Sequence, residues 1–241
     1  MTHLGFHNVT IQYPVYSARG MSMRNQLVRI STGGLIEREA GNTQVVTALR
    51  NVTFSLNEGD AVGLIGHNGA GKTTLLRTMA GVYYPVAGEV RRSGTISTMF
   101  ELGAGMDPEL TGYENIVRIK TMLGLSFKQA RANVADIENF TQLGNFLNFP
   151  VRTYSAGMAA RLMFAIATSV HPDILLVDEI FQAGDHGFQV KAEQRMSRLI
   201  KAAGIFVFAS HDMQLLKKHC NRFFKLEHGT LTEIGPNGIQ I

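Results

Sequence analysis

Residues 66–73 read Gly-His-Asn-Gly-Ala-Gly-Lys-Thr, the spacing G-x-x-x-x-G-K-T. Glycines placed this way let successive backbone N–H groups turn inward around a phosphate. A lysine behind them reaches the β- and γ-phosphates, and a threonine hydroxyl can ligate magnesium. Gly66, His67, Asn68, Gly69, Ala70, Gly71, Lys72 and Thr73, with Thr74 opening the helix that follows, are therefore candidate contacts for nucleotide phosphates and their magnesium. A second anion site is legible at Tyr154-Ser155-Ala156-Gly157-Met158, which opens an apolar helix running to about Val170 and stopped by His171-Pro172. A serine and a glycine at a helix start are ordinary caps. The same geometry also points free N–H groups and the positive end of the helix dipole outward, toward an anion that something else must hold.

These residues need elements to carry them. The apolar run Ala61-Val62-Gly63-Leu64-Ile65 precedes the loop and a helical pattern, 74–80, follows it, so the motif sits between strand and helix. The run Ile174-Leu175-Leu176-Val177 ends in Asp178-Glu179 and reads as a buried parallel strand delivering carboxylates at its C-terminal edge. In phosphate-loop ATPases the first such acid holds magnesium, usually through water, and the second polarises the attacking water; Asp178 and Glu179 fit those roles. Another buried run, Ile205 to Ser210, ends at His211. An imidazole there can hydrogen-bond a γ-phosphate and hold the water and Glu179 in line, although a lone histidine is more often structural.

Ahead of the phosphate loop, 4–13 and 48–56 suggest strands of an antiparallel lobe, the first loosely alternating and halted by Pro14. Tyr13 is placed where an aromatic ring could stack on a nucleotide base, with Tyr16 an alternative and a plain strand-end tyrosine the simpler reading. Between the strands, 16–46 carries Arg19, Arg24, Arg29 and Arg38, and Met23, Leu27 and Ile30 share one helical face. That segment reads either as a basic amphipathic insert at a membrane surface or under a membrane subunit, or as a solvated surface insertion. Downstream, 101–170 turns mostly helical, including Glu114 to Gly124 and Ser126 to Leu143, the latter opened by the capping box Ser126-Phe127-Lys128-Gln129. The fold expected is α/β, with a mainly parallel core sheet, an antiparallel β lobe and an inserted α-helical subdomain, all in a single domain spanning 1–241.

Composition narrows the classes. The single cysteine, Cys220, excludes an internal disulfide and a thiolate metal cluster. No apolar run approaches the length of a membrane span, and the first residues lack the basic and apolar regions of a signal peptide. A net charge of +4 permits nucleic-acid contact, but no basic run interleaved with aromatics, zinc-finger spacing or RNA-binding motif accompanies it, so no nucleic-acid partner is expected.

Taken in order, the phosphate loop, Tyr-Ser-Ala-Gly-Met before a helix, the apolar strand with Asp-Glu, Ala183-Gly184-Asp185 and the strand ending at His211 resemble the nucleotide-binding subunits of ABC transporters over nearly the whole chain. The resemblance implies the ABC-type P-loop NTPase fold and ATP hydrolysis with Mg2+. Residues 66–73 then look like Walker A, Ser155 and Gly157 like the signature motif, and Asp178 with Glu179 like the end of Walker B. Asp185 looks like the D-loop acid, His211 like the switch histidine and Tyr13 like the base-stacking aromatic.

Two departures narrow the family: Tyr-Ser-Ala-Gly-Met replaces Leu-Ser-Gly-Gly-Gln, and Glu101 stands where a magnesium-sensing glutamine is usual. With Leu110-Thr111-Gly112-Tyr113-Glu114-Asn115-Ile116 and the insert, they look like the exporters of O-antigen, capsule or teichoic-acid chains. Some O-antigen ATPases carry a C-terminal sugar-binding domain, and none is expected in a chain of this length.

That reading implies a homodimer binding two ATP molecules head to tail, each between Lys72 of one subunit and Ser155 and Gly157 of the other. It also implies two copies of a transmembrane permease, a lipid-linked polysaccharide as cargo, and a place on the cytoplasmic face of the inner membrane. The alternatives are the ATPase of another ABC transporter, an importer or a non-glycan exporter, and a soluble P-loop ATPase or kinase.

Overall fold

The computed structural model describes residues 1–15, 36–38, 44–99, 105–132, 134–178 and 186–235. Their elements, in chain order, are β1 (His3–Val15), β2 (Ile36–Arg38), β3 (Gln44–Asn57), β4 (Ala61–Ile65), α1 (Lys72–Met79), β5 (Ala87–Ser93), β6 (Ile96–Met99), α2 (Gly112–Met122), α3 (Phe127–Ala132), α4 (Val134–Thr141), α5 (Ala156–Ala167), β7 (Ile174–Asp178), α6 (His186–Ala202), β8 (Ile205–Ala209), α7 (Met213–His219), β9 (Arg222–Glu227) and β10 (Thr230–Ile234). The chain divides into two compact units, one of Met1–Ile96, Leu176–Glu179 and Gly204–Ile241, the other of Ser97–Leu175 and Ile180–Ala203.

The first unit holds an antiparallel sheet in the order β2-β3-β1-β5. Its apolar positions explain the loose alternation in the sequence. Phe6 and Val9 are three residues apart, yet Leu4, Phe6, Val9 and Ile11 are all buried, as are Leu49, Val52 and Leu56 opposite them. Asn8 and Asn51 take left-handed backbone angles, φ 49° and 48°. Asparagine tolerates that conformation, and the register shifts between Phe6 and Val9 and between Val9 and Ile11. Each bulge restores the inward face that strict alternation would lose. β1 and β3 run further than the sequence suggested: Pro14 lies within β1 opposite Val45. The pairing of β1 with β5 ends at Thr10, so beyond it one side of β1 needs no ladder donor and a proline is tolerated.

The other sheet of this unit runs β10-β9-β4-β8, followed by β7. β4 pairs in parallel with both β8 and β9, while β9 and β10 form an antiparallel hairpin turning at His228-Gly229. Every residue of β8 and the middle of β4 are buried, as a parallel sheet covered on both faces requires. Parallel strands put their C-terminal ends on one edge, where ligands of open α/β sheets collect.

The second unit is helical. Ile116, Ile137, Leu143, Leu147, Val151, Leu162, Ala165 and Ile166 form its core. The stretch Ser126 to Leu143 is helical over Phe127–Ala132 (α3) and Val134–Thr141 (α4), and a 3-10 turn follows at Gly144–Asn148. The motif Leu110 to Ile116 has a structural account. Thr111 and Glu114 form a reciprocal capping box on α2. At Gly112 a Cβ would come within 2.8 Å of Leu147 and closer still to the Tyr154 hydroxyl. Asn115 is fully buried. Its amide donates to the carbonyls of Asp107, Leu110 and Thr111 at 2.9, 3.2 and 3.0 Å, and its oxygen accepts from the Asp107 N–H at 2.8 Å. One side chain thus pins the loop before α2. That loop in turn receives the N–H groups of Val151 and Arg152 on the carbonyls of Leu110 and Pro108.

Candidate nucleotide site

The phosphate loop leaves β4 at Ile65 and enters α1 at Lys72. Its glycines are needed where the chain crowds itself. A Cβ on Gly66 would lie 2.5 Å from the Leu226 carbonyl oxygen, and Gly71 takes φ +109° with the Ala48 carbonyl 2.8 Å from any Cβ. The β9–β10 turn secures the loop from behind: Gly229 donates to the Ala70 carbonyl at 3.3 Å, and the His228 ring lies 5.3 Å from that of His67. Gly71 offers no side-chain cap to α1, which leaves the N–H groups of its first turn available to an anion.

Of the side chains that the sequence assigns to this site, Lys72, Thr73, Asp178 and His211 converge at the C-terminal ends of β4, β7 and β8. Lys72 is 8% exposed, and its ammonium donates to the Gly66 carbonyl at 2.5 Å and the His67 carbonyl at 3.4 Å. It lies 3.3 Å from His211 Nε2, which is also 3.0 Å from Asn68 Oδ1. The Thr73 hydroxyl donates to Asp178 Oδ2 at 2.9 Å. A hydroxyl and a carboxylate at this spacing are hard oxygen donors. No group of three His, Cys, Asp or Glu residues suited to a metal occurs among the described residues. That donor set fits magnesium, which takes most of its ligands from phosphate and water, better than a metal caged by protein alone.

Tyr13 sits beside the loop's helix. Its hydroxyl approaches Thr74 Oγ1 at 3.5 Å, its ring meets Tyr83 edge-on at 5.4 Å, and partial burial raises its phenol above the ordinary value. Tyr83, held by Arg77 at 2.9 Å, was not singled out from the sequence; the only signal was an aromatic just past the end of α1. The link between Asn68 and His211 was also missed, since it joins positions 143 residues apart.

In the second unit Ser155 caps α5, its hydroxyl accepting from the Met158 N–H at 3.2 Å. Ser155, Ala156 and Gly157 are exposed, and a Cβ on Gly157 would meet only Ser155 Oγ, at 3.9 Å. Tyr154 fixes the approach to this helix by donating to the Phe146 carbonyl at 2.7 Å. α5 ends at Ala167, short of the expected Val170. Glu101, Glu179 and Asp185 lie outside the described residues, as does the 16–46 insert apart from 36–38 and 44–46. No helix among the described residues is long and apolar enough to cross a membrane.

The profile of the ABC transporter family matches residues 49–182, and the chain belongs to this family, whose ATP-binding subunits hydrolyse ATP to drive transport. It is 60% identical over 233 residues to the O-antigen export system ATP-binding protein RfbE of Yersinia enterocolitica, covering 97% of this chain and 98% of that protein. It is 38% identical to the O-antigen export system ATP-binding protein RfbB of Klebsiella pneumoniae, over 96% of this chain and 93% of that protein. It is 34% identical to the teichoic acids export ATP-binding protein TagH of Listeria innocua, over 96% of this chain and 66% of that protein. Among solved structures, the dimeric ATP-binding cassette MJ0796 bound to ADP and Pi shares the fold, with a TM-score of 0.68, 21% identity and coverage of 96% and 98% of the two chains.

Proposed function

We propose that this chain is the ATPase of an exporter that moves a lipid-linked, O-antigen-like polysaccharide across the inner membrane through a separate transmembrane subunit. Both compact units are read as parts of one ABC ATPase domain. The observation that carries the ATPase is the meeting of Lys72, Thr73, Asp178 and His211 at one edge of the parallel sheet. The cargo class rests on the 60% identity, nearly end to end, with a protein that serves O-antigen export.

In this reading the N–H groups of Gly69 to Thr73 cradle the β-phosphate and Lys72 exchanges its loop carbonyls for phosphate oxygens. Thr73 and Asp178 hold Mg2+, which supplies charge neutralisation on the phosphates. Glu179 polarises the attacking water, His211 Nε2–H donates to the γ-phosphate, and Tyr13 stacks on the base. The opposite wall comes from a second copy. The exposed α5 N-terminus of one subunit, with Ser155 and Gly157, closes over the nucleotide held by the other, so ATP joins the dimer and hydrolysis lets it open. Asp185 and Glu101 belong to this machinery as the D-loop acid and the residue in the sensing position. The dimer sits on the cytoplasmic face of the membrane beneath two permease subunits, with the segment from Glu101 to Gly112 and the basic insert as the contact surface.

The test of the cargo is a strain lacking this protein, in which surface glycan and lipid-linked glycan inside the cell are both measured. Loss at the surface with accumulation inside, rescued by the wild type and not by Glu179→Gln, supports the reading. Unchanged glycan in both places rejects this cargo.

A further inference from the structure

Two groups that would face a γ-phosphate, Lys72 and His211, share the site with the side chain of Asn68. His211 Nε2 is 3.0 Å from Asn68 Oδ1 and 3.3 Å from Lys72 Nζ. One ring nitrogen cannot satisfy both neighbours as a neutral imidazole. If Nε2 carries hydrogen it donates to the Asn68 oxygen, and if it carries the lone pair it accepts from the Lys72 ammonium. Lys72 already donates to the carbonyls of Gly66 and His67. His211 is the hydrogen-bond partner that Asn68 Oδ1 has among the described residues. The balance therefore favours hydrogen on Nε2, donated to Asn68.

We propose that Asn68 is a positioning residue that holds His211 as the Nε2–H tautomer, with that N–H aimed into the phosphate site, before ATP arrives. Its Oδ1 stands in for the γ-phosphate oxygen that later accepts the same hydrogen. Without it, the neighbouring ammonium draws the lone pair onto Nε2, and a nitrogen that presents a lone pair repels a phosphate oxygen instead of binding it. Asn68 thus acts through His211 and makes the switch ready rather than performing chemistry. The inference rests on the reading of His211 as the γ-phosphate contact.

The test combines spectroscopy with kinetics. Ring 15N signals of His211, assigned by their loss in His211→Gln, are recorded without nucleotide at mildly alkaline pH. The wild type shows hydrogen on Nε2. Asn68→Ala shifts the signal toward an unprotonated Nε2, and Asn68→Asp, which keeps an acceptor in place, restores it. In steady state Asn68→Ala lowers kcat about tenfold while KM for ATP moves less than about threefold. An unchanged tautomer in Asn68→Ala overturns the proposal whatever kcat does, and so does an unchanged kcat. A His211→Ala variant that hydrolyses ATP at the wild-type rate rejects the underlying role of His211 instead. An inactive His211→Ala beside a wild-type-like Asn68→Ala rejects only the role of Asn68.

Discussion

Two helix N-termini in this chain are suited to a phosphate, and the chain treats them differently. α1 begins at a left-handed glycine with no side-chain cap, behind a loop braced by the β9–β10 turn and beside the nearly buried Lys72. α5 begins at Ser155, which caps its own helix, and the first residues stand exposed with open space at Gly157. The first gathers uncapped backbone N–H groups, the Lys72 ammonium and the oxygens of Thr73 and Asp178 within one unit. The second offers a dipole and a hydroxyl without walls. An anion site held by one terminus and an exposed second terminus with nothing to hold are what the proposed composite site requires, the second serving a different copy of the chain.

The sharpest way to break the comparison is to disable each terminus separately. Lys72→Ala removes the cation of the phosphate loop, and ATP turnover is expected to fall about a hundredfold or more with ATP affinity weakened as well; unchanged affinity by titration contradicts the phosphate-loop assignment. Gly157→Asp places a negative charge at the exposed terminus, where the side chain has room. Turnover should fall by about tenfold to a hundredfold, while the affinity of the isolated subunit for ATP stays within about twofold. Equal loss of binding in both variants would erase the distinction between the two termini.

Smaller effects probe what holds the helical unit together. Asn115→Ala strips a buried side chain of four hydrogen bonds that pin the loop 107–111. A loss of about 2–3 kcal/mol is expected in denaturant unfolding, and a change below a few tenths would show the loop to be held otherwise. On the same helix Lys120 is fully buried and its ammonium has no hydrogen-bond partner among the described residues. Burial lowers its pKa below the ordinary 10.5, with Asp136 opposing part of the shift. Between that lowered value and the ordinary one the unfolded chain binds more protons, so this group makes stability rise with pH. Lys120→Met should stabilise the protein by about 1 kcal/mol near neutral pH and flatten that rise; melting curves across pH would show neither if the ammonium were solvated.

Much of this was legible in the sequence because it is local. The phosphate loop, the acidic end of β7, the capping signals and the buried parallel strands are short-range patterns tied to short-range physics. The strand ends and bulges were less legible. Asn8 and Asn51 take left-handed angles at the register shifts with the partner strand, and Pro14 lies in β1 beyond the point where β5 stops pairing. Thr73 with Asp178, and Asn68 with His211, join residues more than a hundred positions apart. The residue types could be expected at the site, whereas the specific hydrogen bonds depend on how β4, β7 and β8 lie side by side. Asn115 looked like part of a family pattern, and its reason emerged only from the loop it stitches.

The composite site is tested most directly by mixing the two disabled proteins, Lys72→Ala and Gly157→Asp, each nearly inactive alone. In a head-to-tail dimer of one copy of each, one site carries both defects, while the other pairs an intact Lys72 with an intact Ser155–Gly157 terminus. The account predicts that ATP hydrolysis reappears in the mixture at a rate above either variant alone. A mixture as inactive as its components, with both proteins folded and Gly157→Asp still binding ATP, would contradict it and return the whole site to a single chain.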